Sequence, residues 1–425
     1  MDRIDLVEQA LRHPPDASGC SIPVFVLEPD ATRARAATAS GTLPDSPRVH
    51  LFTGPACVGD LADHFRTRLD CRLPTHVMAS GRHTEALARE VAAALGAIVE
   101  MQSRAVQTCR ARLEARWNQR TMAWWSERYA AINGGAPARV LVVTSRFSTF
   151  VQHAAADLVD AFAHLGHEAR SLMEPDDFTS ITPHLCLRTI DAFDPDLIVV
   201  INYPRAMHRE LFPEGWPHVC WVQDAMPHQF AELPPPGPLD FIAGHLYDTP
   251  DAADALPAGA RLPFPVPVSE RKFHPTPVAP DVAGRFACDI AYVSHTSQTP
   301  DAFHREFAAH FDAARRPAFD ICRARVEEAM SAWHLAVQHD ALVEARTGLA
   351  AALNCAHDPR TCDLLWHQYI HPLSERLLRH QTLEWAAAIA GAHALDFRIY
   401  GNGWHQHPTL HPYAAGPLAH GDDLR

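Results

Sequence analysis

Short, wholly apolar segments alternate with helical segments through the middle of this chain. The segments RVLVVT (Arg139 to Thr144) and LIVVIN (Leu197 to Asn202) are apolar throughout their centres, which is typical of strands buried on both faces. An amphipathic helical pattern from Val151 to Leu165 lies between them. Because parallel strands need a long crossover, usually a helix, this rhythm predicts a parallel α/β sheet.

Three further segments extend the predicted sheet, and a helix is expected around Pro183 to Ala192. The strands are HEARSL (His167 to Leu172), HVCWV (His218 to Val222) and DFIA (Asp240 to Ala243). Together they predict a doubly wound, Rossmann-like domain. Ligands of such domains bind at the carboxyl ends of the strands. Three segments lie at the carboxyl ends of predicted strands: Thr144 to Ser148, Asn202 to Pro204, and Gln223 to Pro227.

The chain before this domain is less regular. Residues 1–48 are rich in Pro, Ala, Thr and Ser, and we interpret them as a loosely organised lead-in with one apolar run, Ile22 to Leu27. Strands are predicted at Arg48 to Thr53 and Thr75 to Ala79, with helices at Thr84 to Leu95 and about Ser103 to Ile132. The sequence Asn133-Gly134-Gly135-Ala136-Pro137 predicts a helix end and a boundary.

A proline-rich segment, LPFPVPVSERKFHP (Leu262 to Pro275), follows the predicted sheet. So many prolines exclude regular helix or ladder, so we expect an extended crossing between domains. Beyond it lie strands at Cys288 to Val293 and Leu395 to Tyr400, separated by a mostly helical stretch, Asp301 to Ala390. The predicted domains are an α/β and helical N-terminal extension (1–136), a Rossmann-like domain (137–262), the proline-rich segment (263–284) and a second, partial Rossmann-like domain with a helical insertion (285–425).

Composition excludes several classes of protein. A chain of 425 residues that is 47% hydrophobic can bury a large core. Its net charge is −13 and it has no basic block, so nucleic acid is not an expected partner. It has no leader peptide pattern and no run of 18 apolar residues, and its ten cysteines form no C-x-x-C pair. We therefore expect a cytoplasmic protein with reduced thiols and no transmembrane segment.

Common cofactor motifs are missing from the sequence. No G-x-G-x-x-G follows the first strand of the Rossmann-like domain, and no P-loop motif is present. Two groups could be imagined as metal sites: Cys355 and Cys362 around His357, and His405 with His407 and His411. Neither has the paired ligand spacing of usual zinc sites, so no metal is expected.

Several of these segments together resemble the GT-B glycosyltransferases. FPVPVSERKFHP is similar to their interdomain segment, and CDIAYVSHTS to the first strand and loop of their donor domain. RIYGNGW with AAGPLAHGDDL, and PDLIVVINYP with HVCWVQD, resemble the CgeB-like branch, of the spore maturation protein type. The resemblance covers about residues 138 to 425.

The resemblance implies transfer of a sugar from a nucleotide-sugar donor to an acceptor that it does not identify, without cofactor or obligatory metal. Backbone amides and cationic side chains would stabilise the departing diphosphate, bound between the two domains. Asp224 matches the position of a catalytic base. The donor-binding positions implied on this chain are Arg146, Ser294, His295, Thr296, Ser297, Gly401, Gly403 and Trp404.

Structural interpretations compete at several of these positions. Gly401 and Gly403 could serve to form a turn without any role in binding, and Trp404 could belong to the core. Asp224 could cap a helix rather than act as a base.

GT-B donor domains continue past the point where this sequence stops, so we expect a truncated domain that self-associates, binds UDP or GDP weakly and transfers no sugar alone. The alternative function is a non-catalytic binding or assembly module on a GT-B-like scaffold.

Overall fold

The structure is a computed structural model, and the chain divides into two compact units, Met1–Ser269 and Glu270–Arg425. We refer to these as unit 1 and unit 2. The division falls inside the predicted proline-rich segment. The structure describes residues 4–16, 19–78, 84–148, 150–224, 236–244, 258–263, 265–275, 277–331 and 335–418.

The N-terminal part of unit 1 is more regular than the composition of residues 1–48 suggests. Strands β1 (Val24–Glu28) and β2 (Val49–Thr53) pair in parallel, with Val24 opposite Val49. Around them lie helices α1 (Ile4–Arg12), α2 (Ala31–Ala39) and α3 (Cys57–Thr67). The interpretation of a loosely organised lead-in is therefore wrong: Asp30 caps α2, and the apolar face of α3 packs on the strand pair.

The strand predicted at Thr75 to Ala79 does not form over Thr75 to Met78, and Ala79 lies outside the described residues. Val77 and Met78 are exposed, and Pro74 directly precedes the segment. Since proline provides no backbone donor and these residues have no described partner strand, β propensity alone does not produce a strand here.

Two helices connect this part to the central sheet. Helix α4 (Thr84–Asn118) spans 35 residues. It covers the helix predicted at Thr84 to Leu95 and the first part of the helix predicted at about Ser103 to Ile132. Helix α5 (Met122–Asn133) is capped by Thr121, whose side chain accepts a hydrogen bond from the Trp124 backbone N–H. It ends before Gly134, where the sequence predicts a boundary.

The sheet of unit 1 has six parallel strands in the order β4-β3-β5-β6-β7-β8, which confirms the predicted parallel α/β domain. Helix α6 (Val151–His164) follows β3, and α7 (Pro183–Phe193) follows β4. Short 3₁₀ turns lie at Arg205–Met207 and Ala258–Ala260. The strands are β3 (Arg139–Val143), β4 (Glu168–Leu172), β5 (Leu197–Ile201), β6 (His218–Val222), β7 (Asp240–Gly244) and β8 (Arg261–Pro263). The prediction missed β8, which lies at the sheet edge.

Apolar cores cover both faces of this sheet. On one face, Leu141 and Val143 of β3 pack with side chains of α4, α5 and α7. On the other, Val140 and Val142 pack with α6. Burying each such aliphatic side chain contributes about 1.5–3 kcal/mol, which explains why these strands have no polar face. The domain is doubly wound, as predicted.

Unit 2 has a smaller sheet and a large helical insertion. Its three parallel strands have the order β11-β10-β9, with β9 at Ile290–Val293, β10 at Phe397–Tyr400 and β11 at Ala414–Gly416. Helix α8 (Pro280–Phe286) precedes β9, and 3₁₀ turns lie at Trp404–Gln406 and His411–Tyr413. The insertion comprises α9 (Pro300–Ala309), α10 (Arg316–Ser331), α11 (Leu335–Ala352), α12 (Pro359–Leu365), a π-helical turn (Trp366–Ile370) and α13 (His371–His393).

The insertion has its own core around Phe319 and Tyr369, while Ile399 and Trp404 lie in the core of the small sheet. No helix of the described residues is long and apolar enough to cross a lipid bilayer. The Gly421-Asp422-Asp423-Leu424 segment, which resembles a helix start, lies outside the described residues.

Candidate functional site

The carboxyl edge of the unit 1 sheet contains a reversal of strand order. From β3 the chain passes to β4 on one side, and then to β5 on the other side of β3. The loops after β3 and β5 therefore diverge, and this is where doubly wound folds bind ligands. Ser145 and Arg146 follow β3, and Asn202 follows β5.

Arg146 is anchored by two acidic residues. Its backbone N–H donates to Glu174 Oε2 at 3.0 Å, and its Nη1 donates to the Glu174 carbonyl at 3.2 Å. Its Nε lies 3.1 Å from Asp177 Oδ1. Glu174 is buried, whereas Asp177 is exposed. The guanidinium that the resemblance assigns to a diphosphate is thus already bonded to the Glu174 backbone carbonyl and to the Asp177 carboxylate of its own unit.

Asp224 is positioned by Asn202. The Asn202 Nδ2 donates to Asp224 Oδ2 at 2.5 Å, and Asn202 Oδ1 accepts from the backbone N–H groups of Gln223 and Asp224 at 2.8 and 3.2 Å. Asn202 adopts a positive φ of 64°, which asparagine tolerates better than most residues. Asp224 is exposed, so its carboxylate has one described bond and remains accessible.

Two buried polar side chains lie at the same edge. Thr144 and Gln223 are 7% and 8% exposed, and neither the Thr144 hydroxyl nor either amide atom of Gln223 has a hydrogen-bond partner among the described residues. Buried polar groups are normally bonded. Thr144 and Gln223 therefore leave buried polar atoms unpaired at the edge where doubly wound folds bind ligands.

In unit 2, the loops after β9 and β10 are held together by backbone contacts. The Ser294 N–H donates to the Tyr400 carbonyl, and the Thr296 N–H donates to the Asn402 carbonyl, both at 2.9 Å. His295 Nδ1 accepts from the Asn402 N–H at 3.0 Å. The structure thus brings together the predicted segments Ser294–Ser297 and Gly401–Trp404.

The two glycines make this close approach possible. A Cβ on Gly401 (φ +141°) would lie 2.0 Å from the Ser294 carbonyl oxygen, and one on Gly403 (φ +88°) would lie 2.2 Å from Thr296 Cγ2. Trp404 is fully buried, and its indole N–H donates to the Ser294 carbonyl at 2.6 Å. Its ring has no exposed face on which a base could stack, so its contacts are those of a core residue.

Ser297 begins a chain of side-chain hydrogen bonds. Its Oγ lies 3.0 Å from His380 Nε2, and His380 Nδ1 lies 2.8 Å from His407 Nε2. His380 is on α13, 83 positions from Ser297, which is why the sequence analysis missed it. Both histidines are more than 90% buried.

Burial keeps this histidine pair uncharged. It lowers the pKa of His380 to about 4, with His407 and the neighbouring arginines 379 and 376 acting in the same direction. Burial also lowers the pKa of His407. At neutral pH the pair therefore acts through its N–H groups and lone pairs, without a net charge.

A cavity of about 710 Å³ lies elsewhere, in the N-terminal part of unit 1. Mainly apolar side chains of α1, β1 and α4 line it, and no predicted site residue does. Its size and lining suit a small apolar molecule rather than a nucleotide.

None of the protein families, curated proteins or solved structures compared with this chain matches it. The described part of the chain also contains no group of three or more His, Cys, Asp or Glu side chains placed to hold a metal ion. The chemistry of the two carboxyl edges is therefore the basis on which function can be argued.

Proposed function

We propose that this protein is a GT-B-type glycosyltransferase, in which the loop Ser294–Ser297 of unit 2 binds the diphosphate of a nucleotide-sugar donor. The observation that carries the proposal is the junction between this loop and the turn Gly401–Trp404 at the carboxyl ends of two parallel strands. Diphosphates bind at such edges, where glycines allow close backbone approach.

The chemistry of this loop suits a dianionic group. Neither segment contains an acidic residue, and Ser297 supplies a hydroxyl at the end of the first segment. The loop leads into α9, capped by Thr299, so the positive end of that helix dipole lies just beyond Ser297. Fixed neutral donors of this kind stabilise charge that develops on a departing diphosphate.

The carboxyl edge of unit 1 suits an acceptor. Asp224 is an accessible carboxylate held by Asn202, as a general base for an acceptor hydroxyl requires. The buried polar atoms of Thr144 and Gln223 lie unpaired at the same edge. Arg146 takes no part in this proposal, because Glu174 and Asp177 already bind it.

The pairing of Arg146 also favours a second candidate, a binding module without catalysis. With Arg146 paired, its guanidinium is not available to a leaving group, so a hydroxylated ligand could bind at that edge without reacting. The two candidates differ in whether the Asp224 carboxylate has a chemical role.

The test is an assay of the full chain with UDP- and GDP-sugars and a panel of hydroxylated acceptors, beside calorimetric titration with UDP and GDP. For a glycosyltransferase, Asp224→Asn should lower turnover about a hundredfold or more, with UDP or GDP affinity unchanged. Asp160→Asn, at an exposed position of α6, is the matched control and should change neither quantity. Binding without turnover supports the binding module, and no binding of either nucleotide contradicts the donor site.

A further inference from the structure

The chain of hydrogen bonds behind Ser297 has only one arrangement of protons. It begins at the backbone, where the N–H groups of Thr409 and Leu410 point at His407 Nδ1 from 3.3 and 3.1 Å. A backbone N–H can only donate, so Nδ1 of His407 must be the unprotonated, accepting nitrogen. A neutral His407 therefore carries its proton on Nε2.

The same logic fixes His380. His407 Nε2–H donates across 2.8 Å to His380 Nδ1, so that nitrogen has no proton. The proton of a neutral His380 is then on Nε2, 3.0 Å from Ser297 Oγ. A doubly protonated His380 would place two N–H groups head to head, so the geometry disfavours the cation in addition to burial.

Ser297 Oγ is consequently an acceptor from His380, and its own proton points elsewhere. Within the described part of the chain, His380 is the hydrogen-bond partner of this hydroxyl. His380 cannot act as a base toward Ser297, because the nitrogen that faces the hydroxyl already holds a proton. This polarity is the reverse of the arrangement that activates a serine nucleophile.

We propose that Ser297 is an anion-binding residue whose hydroxyl donates to a phosphate or diphosphate oxygen, and that His380 and His407 are the residues that position it. The inference rests on the proposed function in placing a diphosphate at this loop. Every link donates in one direction, from the backbone of Thr409 and Leu410 outward to Ser297. A hydroxyl that already accepts a hydrogen bond is a better donor, since linked bonds polarise one another.

A charged ligand oxygen is the partner that this polarity selects. The Ser297 hydroxyl is the single donor at the outer end of this chain of hydrogen bonds. The two histidines behind it, His380 and His407, are neutral and buried. A ligand that could only donate would leave the Ser297 O–H without an acceptor, whereas an anionic oxygen accepts from it. Hydrogen bonds to charged groups are the strong ones, so one such contact affects affinity measurably.

The binding test uses the full chain with pyrophosphate, UDP and a UDP-sugar as separate probes, measured by calorimetry at pH 7. Ser297→Ala should weaken pyrophosphate and UDP binding about tenfold to a hundredfold, the range for one hydrogen bond to a charged group. Ser297→Thr keeps the hydroxyl and should stay within about threefold of wild type. His380→Phe leaves the hydroxyl unoriented and should produce an intermediate loss.

The proton arrangement is tested separately by ¹⁵N NMR of histidine-labelled protein. The signals of His380 and His407 are identified by their disappearance in His380→Phe and His407→Phe, and both should show the Nε2–H tautomer. A proton on His380 Nδ1 would overturn the proposal, because Ser297 would then face a lone pair. A purely structural role for His380 would not require one particular tautomer.

The outcomes separate this inference from the proposed function. Ser297-dependent binding of pyrophosphate without recognition of any nucleotide would support the anion site and contradict the glycosyltransferase. Binding of UDP-sugar that Ser297→Ala leaves unchanged would contradict the anion site alone. If wild type binds none of the three probes, both are wrong.

Discussion

The carboxyl edges of the two parallel sheets, one in each unit, differ in their charged residues. Among the described residues, the carboxyl edge of unit 1 carries the acidic residues Glu174, Asp177 and Asp224 together with Arg146. The corresponding edge of unit 2 has no acidic residue in its two loops, and its donors are backbone N–H groups and hydroxyls. Similar topology therefore supports an edge with several carboxylates in unit 1 and an edge whose two loops have none in unit 2.

The difference also concerns how each edge is kept in place. Unit 1 uses ion pairs and charged hydrogen bonds, which depend on carboxyl groups remaining ionised. Unit 2 uses glycine-dependent backbone contacts and an uncharged histidine pair. A buried charge without a partner costs several kcal/mol, whereas a satisfied neutral chain avoids that cost and leaves its terminal hydroxyl for a ligand.

The largest expected effect concerns the backbone junction of unit 2. Gly401→Ala should lower the stability of this sheet by at least about 3 kcal/mol, because it adds strain at positive φ to a clash with backbone that cannot move aside. Hydrogen exchange of peptides from β9 and β10 measures the loss locally, which suits a chain of two units.

The matched control is Gly166→Ala in unit 1. Gly166 also has a positive φ, 85°, but a Cβ there would contact nothing within 4 Å. Only the conformational strain remains, about 1 kcal/mol. Equal losses for the two variants would show that the close approach to Ser294 is not what makes Gly401 necessary.

The second effect is on pH dependence. The pKa of His380 is about 4 in the folded chain and near 6.5 when unfolded. The unfolded chain therefore binds the proton more tightly between these values, so the stabilisation is complete above about pH 6.5 and falls as pH drops toward 4. Between pH 7 and pH 5, unit 2 should lose about 2 kcal/mol through this residue.

Urea unfolding curves at the two pH values provide the measurement. His380→Gln removes the titrating group, so its pH dependence should be flatter than that of wild type by the same amount. His405→Gln, at an exposed position on the neighbouring turn, is the control and should follow wild type. Parallel curves for His380→Gln and wild type would mean that His380 can be protonated in the folded chain.

The sequence was sufficient for the central sheet because β3 and β5 are buried on both faces. Their continuous apolar runs have no other stable environment, so strand type and parallel pairing could be predicted. The sequence was insufficient where tertiary contacts determine whether a strand forms. Strand β8 has three residues and depends on pairing with β7. Residues 75–78 have a strand-like composition but no described partner strand.

The same limit applies to the site. Adjacent residues such as Ser294–Ser297 could be proposed, because they follow a predicted strand. His380 could not, because α13 brings it to Ser297 from 83 positions away. One signal was available: His407 lies in a histidine-rich loop whose spacing does not favour a metal site, and that spacing gives no indication of a hydrogen-bond chain. The roles of Asn202 and Glu174 likewise depend on contacts between separate strands.

The smallest expected effect tests whether Glu174 and Asp177 hold the loop after β3 in place or only lie beside it. Asp177 is exposed and contacts Arg146 through a surface ion pair, so Asp177→Asn should change the free energy of unfolding by less than about 0.5 kcal/mol. Glu174→Gln should cost more, about 1–3 kcal/mol, because its buried carboxylate accepts from the Arg146 N–H and the Ser145 hydroxyl. Hydrogen exchange of the loop after β3 compares the two variants. If Asp177→Asn loosens that loop as much as Glu174→Gln does, the exposed ion pair between Arg146 and Asp177 is structural. Charged contacts would then hold the edge of unit 1 at its surface as well as in its interior, in contrast to the backbone contacts that hold the edge of unit 2.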